Sequence, residues 1–175
     1  METWDVYNIN RCLTDKKVQR GDELGVMDFH LVVHVCIFNA QGEMLIQQRQ
    51  LCKTFPNMWD VTVGGAAHTG ETSRAAAERE SREEIGFDLD LCDDRPFFTI
   101  NFSGGFNDFY LVERDIDIEK LTLQPEEVQA VKWASQDAIK QMVSDGEFID
   151  YYFIDMLFEM RHHRGSMRPS MADKE

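Results

Sequence analysis

Apolar positions along this chain follow two periods, and the switches between them mark the predicted elements. FHLVVHVCIFN, residues 29–39, is β-branched and apolar on both faces, the pattern of a strand covered on two sides. EMLIQQRQ, residues 43–50, follows after AQG and predicts a hairpin with it. WDVYN near the start reads as a short strand, and RGDELG, residues 20–25, as a loop. MWDVTVGG, residues 58–65, reads as one strand ending in two glycines. PFFTINF, DFYLVER and VQAVKW supply further strands, the first two joined by SGGFN. TSRAAAERESREEI is rich in strong helix formers, opens at Thr72 or Ser73 as N-cap and stops at Gly86. Ser135 caps a second helix over QDAIKQMV, and EFIDYYFIDMLFEM, residues 147–160, is predicted as a final, largely buried helix.

Strands interleaved with helices make an α/β or α+β domain with layers on both faces of a sheet. A chain of 175 residues fits one domain, taken as residues 1–165, with 166–175 as a mobile tail. No apolar stretch approaches the roughly 18 residues needed to span a bilayer, and the start lacks a signal-peptide pattern. The four cysteines have no regular spacing, so reduced thiols in a cytoplasmic protein are expected rather than a zinc site. A formal charge of −14 argues against a nucleic-acid polymer as partner. It leaves room for a phosphorylated small molecule whose charge is met by divalent cations.

The candidate chemistry sits in GGAAHTGETSRAAAERESREEIGF, residues 64–87. Glu80, Glu83 and Glu84 are spaced i, i+3 and i+4, so a helix brings their carboxylates together and they repel unless a cation intervenes. Such a hard oxygen cluster suits Mg²⁺ or Mn²⁺ rather than zinc. A solvated acidic face is the competing reading. What separates the two is the company the acids keep: Gly65, Glu71, Arg79 and Gly86 stand at fixed offsets around them.

Those offsets resemble the Nudix box, G-x5-E-x7-R-E-U-x-E-E-x-G-U with U apolar, at every charged and glycine position. Ser81, at the first U position, is the one departure and is expected to weaken packing beneath the helix. The resemblance implies an α/β/α sandwich with a mixed sheet, and hydrolysis of a diphosphate linkage X-P-P by metal-activated water. It implies Glu83 and Glu84 as principal metal ligands, with Glu80 as a further ligand or the base that orients water. The carbonyl of Gly64 or Gly65 would be the backbone ligand. Arg79 is spaced to pair with Glu83, whereas the resemblance favours a brace to Glu71. Homodimers are common in such a family, and no interface is marked in this chain.

Over residues 4–160 the chain resembles the branch that contains isopentenyl-diphosphate isomerases, which raises a proton-transfer enzyme as the rival. The isomerases carry a cysteine where this chain has Gly64 and a histidine where it has Ala66. Without the acid, isomerisation of an unactivated alkene is not provided for. Two later glutamates of the isomerases fall near Phe106 and Asp108, and Asp108 is the first candidate to complete the metal site or act as base, with a slip to Asn107 as the alternative. Glu126 and Glu127 in QPEEV are further alternatives for that acid, with a solvated turn as the favoured reading. Arg49 and Lys53 resemble the basic residues that this branch aims at the diphosphate. His30 and His34 are read as structural, and His68 as exposed near the substrate. The group X is expected to be a nucleoside or another small organic group.

Overall fold

The fold is organised around β3, His30–Phe38, nine residues that run through the middle of a mixed sheet. The computed structural model describes residues 2–92 and 94–163, so the expected tail lies outside the described residues. Ahead of β3 stand β1, Thr3–Tyr7, and β2, Leu13–Gln19, an antiparallel pair forming a sheet of its own. After it come β4, Met44–Arg49; β5, Trp59–Asp60; and β6, Val63–Ala66. Helix α1 spans Ser73–Ile85 and is followed by β7, Phe98–Phe102, and β8, Gly105–Glu113. The described chain closes with β9, Val128–Ala134; α2, Gln136–Ser144; and α3, Ile154–Met160.

The large sheet has the order β5-β4-β3-β8-β7, with β6 also paired to β3 and β9 to β4. The β3–β8 pair is parallel and the others are antiparallel. Side-chain alternation along β3 divides the core. Val33, Val35 and Ile37 meet Ala76, Ala77 and Ile85 of α1 on one face. Cys36 and Phe38 meet Ile139 of α2 and Leu157 of α3 on the other. The result is the expected α/β/α sandwich.

A single hydroxyl explains how the sheet opens above the site. Ile37 N donates to Thr62 Oγ1 at 2.9 Å, and Thr62 Oγ1 donates to the Leu45 carbonyl. The hydroxyl thus bridges two strands that would otherwise bond each other, and β3 meets β4 in register only at Phe38 and Met44. Below that point β6 takes over as the neighbour of β3, from Val35↔Val63 to Val32↔Ala66. The stretch expected as one strand, residues 58–65, is therefore two.

Two other elements differ from expectation. Residues 147–153 are not helical, because Trp59 N donates to Glu147 O at 2.7 Å and Ile149 N to Trp59 O at 3.0 Å, which extends the sheet past β5. Only Ile154–Met160 forms the helix. Strand β2, LTDKKVQ, was unmarked in the sequence because its polar residues show no apolar alternation and its ladder is to β1 alone.

Gly105 opens β8 opposite His30, and a Cβ there would overlap the His30 carbonyl oxygen. Backbone cannot swing aside as a side-chain tip can. Gly105→Ala is expected to destabilise the protein by about 3 kcal/mol, read as a lowered urea midpoint with unchanged slope. An unchanged midpoint would refute this packing account.

Candidate active site

Helix α1 is held at both ends by its own sequence. Thr72 Oγ1 accepts from Ala75 N at 3.2 Å at the start. At the end Gly86 takes φ 67, and its N–H bonds to the Arg82 carbonyl, a conformation that glycine adopts without strain. Ser81 is fully buried, and its hydroxyl donates to the Phe87 carbonyl at 3.0 Å. The departure from the apolar pattern therefore fastens the chain as it leaves the helix.

On this scaffold the three acids meet three environments. Glu84 is buried at 5% exposure, with Oε2 accepting from Gln47 Nε2 at 3.0 Å and from Gly64 N at 3.3 Å. Burial, reinforced by the charge of Glu80, pushes the Glu84 carboxyl up to about 8. Glu80 is also raised by burial, with Arg79 opposing. Its carboxylate lies over Gly65 so closely that a Cβ there would overlap Oε1. Glu83 is half-exposed, at 50%.

Arg79 is the hub. Nε donates to Glu71 Oε1 at 2.8 Å, and Nη2 to Glu71 Oε2 and the Ala66 carbonyl, both at 3.0 Å. Nη1 reaches Glu83 Oε2 and Glu80 Oε1, each at 2.9 Å. The spacing argument for Glu83 and the resemblance argument for Glu71 thus both hold. Burial alone would raise the Glu71 carboxyl, but the bonds from Arg79 and from His68 N more than offset it and lower it.

These groups face a cavity of about 460 Å³, which His34, Arg49 and Lys53 also line. Arg49 Nη1 donates to Asp60 Oδ2 at 2.8 Å and Nε to the Thr54 carbonyl at 2.7 Å. Lys53 is paired with Glu127. His34 stacks on Phe109 at 4.8 Å, and burial lowers its pKa, so the ring is neutral. A Cβ on Gly64 would come within 2.8 Å of His34 Cδ2. The position where an isomerase keeps its cysteine is therefore shaped for a residue without a side chain. His30 stacks on Trp4 at 4.7 Å, with Nδ1 2.8 Å from the Gly104 carbonyl, in keeping with a structural role.

Asp108 is not brought to this cluster. Register pairs it with Val33, and its neighbours Phe106 and Tyr110 pack on the α1 side of the sheet. There it is fully buried and accepts from Arg11 Nη1 at 2.8 Å and Thr99 Oγ1 at 2.6 Å, beside a different cavity. Asn107, one residue earlier, pairs with Val32, which does line the first cavity, but it carries an amide and no charge. The acid that does face the cluster is Glu127, one of the alternatives to Asp108 in the sequence. Its charge raises both Glu80 and Glu84. Gln50 N donates to the Glu127 carbonyl at 3.0 Å, so the link from β4 to β9 fixes it.

The NUDIX domain family model matches residues 28–157, about three-quarters of the chain, and spans the whole acidic cluster. The chain belongs to the Nudix family. An uncharacterized Nudix hydrolase of Listeria innocua is 47% identical over 163 residues, 93% of this chain and 96% of that protein. A second, from Listeria monocytogenes, is 44% identical over the same shares. The crystal structure of DR0079 from Deinococcus radiodurans superposes with a TM-score of 0.74 at 25% identity, covering 90% of this chain and 98% of that one. An isopentenyl-diphosphate Delta-isomerase of Citrobacter koseri is 29% identical over 124 residues, 66% of this chain and 67% of that protein. The chain is accordingly a Nudix hydrolase by family, and the family acts on pyrophosphate-containing small molecules. No helix among the described residues is long and apolar enough to cross a membrane.

Among the described residues no three carboxylate, imidazole or thiol groups stand close enough to hold a cation with the side chains so arranged. The reason is Arg79, which draws Glu80 and Glu83 to itself. The donor set nevertheless fits a hard divalent ion. Its ligand atoms are carboxylate oxygens, and the absence of a Cβ at Gly65 lets the Glu80 carboxylate lie close against the backbone there.

Proposed function

We propose that this Nudix protein is a divalent-metal-dependent hydrolase of an X-P-P linkage, with X a nucleoside or another small organic group. The observation that carries the reading is geometric: Glu80, Glu83 and the buried Glu84 line one polar cavity together with Gly64 and Gly65. Glu80, Glu83 and Glu84, with a carbonyl of Gly64 or Gly65, would hold Mg²⁺ or Mn²⁺. A divalent ion held there would supply Lewis-acid stabilisation of phosphate charge and lower the pKa of a water, so that hydroxide is available to attack phosphorus.

The chain's own groups do the rest. Arg79 and Glu71 brace the loop after β6 against α1, fixing the glycine carbonyls relative to the acids. Arg49, already oriented by Asp60 and Thr54, keeps Nη2 for substrate oxygens, and Lys53 reaches them by leaving Glu127. Glu127, once released, is a carboxylate on the far wall able to accept the water's proton. It takes the role expected of Asp108. Four free cysteines, one of them buried, suit the cytoplasmic setting of this reading.

A phosphate-release screen tests the reading across nucleoside di- and triphosphates, nucleotide sugars, dinucleotides and prenyl diphosphates, with Mg²⁺ and then Mn²⁺. Metal-dependent release from at least one diphosphate is expected, and none from any would defeat the proposal. Isopentenyl diphosphate in deuterated water addresses the isomerase. Deuterium at carbon would overturn the hydrolase reading, since Gly64 supplies no acid.

A further inference from the structure

The family match begins at residue 28, yet the cavity has a wall made by the hairpin that precedes it: Glu2, Trp4 and Arg20 all line it. This hairpin is tied to the catalytic loop. Thr69 N and Oγ1 donate to the Thr3 carbonyl at 2.8 and 3.1 Å, and Gly70 N donates to Asp5 Oδ2 at 2.7 Å. At its other end Tyr7 and Phe29 exchange backbone bonds at 2.7 and 2.9 Å. β1 is thereby fastened both to the loop entering α1 and to the start of β3.

The cations of the cavity differ in how much of each is left for a ligand. Arg79 is bonded through all three nitrogens. Arg49 is bonded through two, and Lys53 is engaged by Glu127. Arg20 is held through Nη1 alone, to Glu2 Oε1 at 2.7 Å, and its Nε and Nη2 bond to no described residue. The two side chains are 48% and 37% exposed, and Arg20 N also donates to the Glu2 carbonyl at 3.0 Å, so the backbone keeps the pair opposed. An exposed pair of this kind is weak, because solvent and salt screen it. A phosphate oxygen pair offers the guanidinium a stronger, bidentate partner.

We propose that Arg20 is a phosphate-binding residue of this site, supplied by the N-terminal hairpin, and that Glu2 masks it in the free protein by holding one edge of the guanidinium. The ligand is a phosphate of the X-P-P substrate, so the inference rests on the hydrolase reading above. Binding replaces the Glu2 carboxylate with phosphate, and the hairpin's ties to Thr69 and Gly70 carry that contact next to the loop that holds the acids.

The test uses the full chain with Arg20→Gln, Glu2→Gln and the double variant. Two readouts are taken with Mg²⁺: KM and kcat on a hydrolysed substrate, and calorimetric binding of imidodiphosphate, which is not hydrolysed. Arg20→Gln is expected to raise KM and the imidodiphosphate Kd about tenfold with kcat nearly unchanged. Glu2→Gln is expected to lower both by about two- to threefold in the native background and to change neither once Arg20 is gone. Unchanged imidodiphosphate binding in Arg20→Gln, an equal effect of Glu2→Gln in both backgrounds, or no imidodiphosphate binding by the native protein would each overturn the proposal. Arg20-dependent binding without hydrolysis would leave this site standing and defeat the hydrolase reading instead. Hydrolysis with Arg20-independent binding would do the reverse.

Discussion

Glu84→Gln is expected to lower kcat by about three orders of magnitude at saturating Mg²⁺ while making the metal-free protein more stable near neutral pH. The two effects have one cause. Glu84 is a carboxyl in a buried position, with Gln47 and Gly64 as its hydrogen-bond donors among the described residues and Glu80 beside it. Without a cation its charge is unfavourable there, so a neutral amide of the same shape relieves the folded state. With a cation the charge is what binds and polarises, so the amide removes several kcal/mol of transition-state stabilisation. Glu83, half-exposed and paired with Arg79, should show the kinetic loss without the gain in stability. Steady-state kinetics with urea unfolding in chelator reads both. Native-like turnover of Glu84→Gln at saturating Mg²⁺ would sink the assignment of Glu84 as ligand.

How far the site could be read in advance depended on how local each residue's placement is. Glu80, Glu83, Glu84 and Arg79 share one helix, and Glu71 stands just before it, so fixed offsets were enough to place them. The layers of the sandwich followed equally well from the two-sided apolar run of β3. Asp108 and Glu127 could not be placed that way. Which face of β8 looks into the cavity depends on the β3–β8 register, and one step along that strand separates Asn107 from Asp108. Glu127 reaches the acids through bonds across long separations in sequence: Gln50 N, at the end of β4, binds its carbonyl, and Gln124 N binds the Glu84 carbonyl. The placement of Arg20 was hidden for the same reason: it follows the polar strand β2, and the hairpin is positioned by ties to a loop far along the chain. Thr62 is the plainest instance. One hydroxyl divides a run that pattern alone reads as continuous, and in doing so opens the sheet where the glycines sit.

The metal-free protein is expected to lose stability as pH rises from about 4.5 to about 8, opposite to the usual acid sensitivity of a carboxylate-rich chain. The sign follows from Glu84, whose carboxyl lies at about 8 in the fold against 4.5 when unperturbed. Between those values the folded state holds a proton that the unfolded chain has released. Its contribution is therefore complete below about pH 4.5 and is lost as pH climbs through about 8, a change on the order of 5 kcal/mol. Glu80, raised by burial, acts in the same direction. Glu71 acts oppositely, but its lowered pKa confines its contribution to more acidic solutions, where stability is lost as pH falls through that value. Divalent cation should erase the slope, because a positive charge beside Glu84 stabilises the ionised form that burial disfavours. Urea midpoints in chelator at about pH 5.5 and about pH 8.5 should differ for the native chain, converge on adding Mg²⁺, and differ much less without it in Glu84→Gln, where Glu80 remains. An undiminished slope in Glu84→Gln would place its origin elsewhere and remove the support for an unfavourable charge at Glu84.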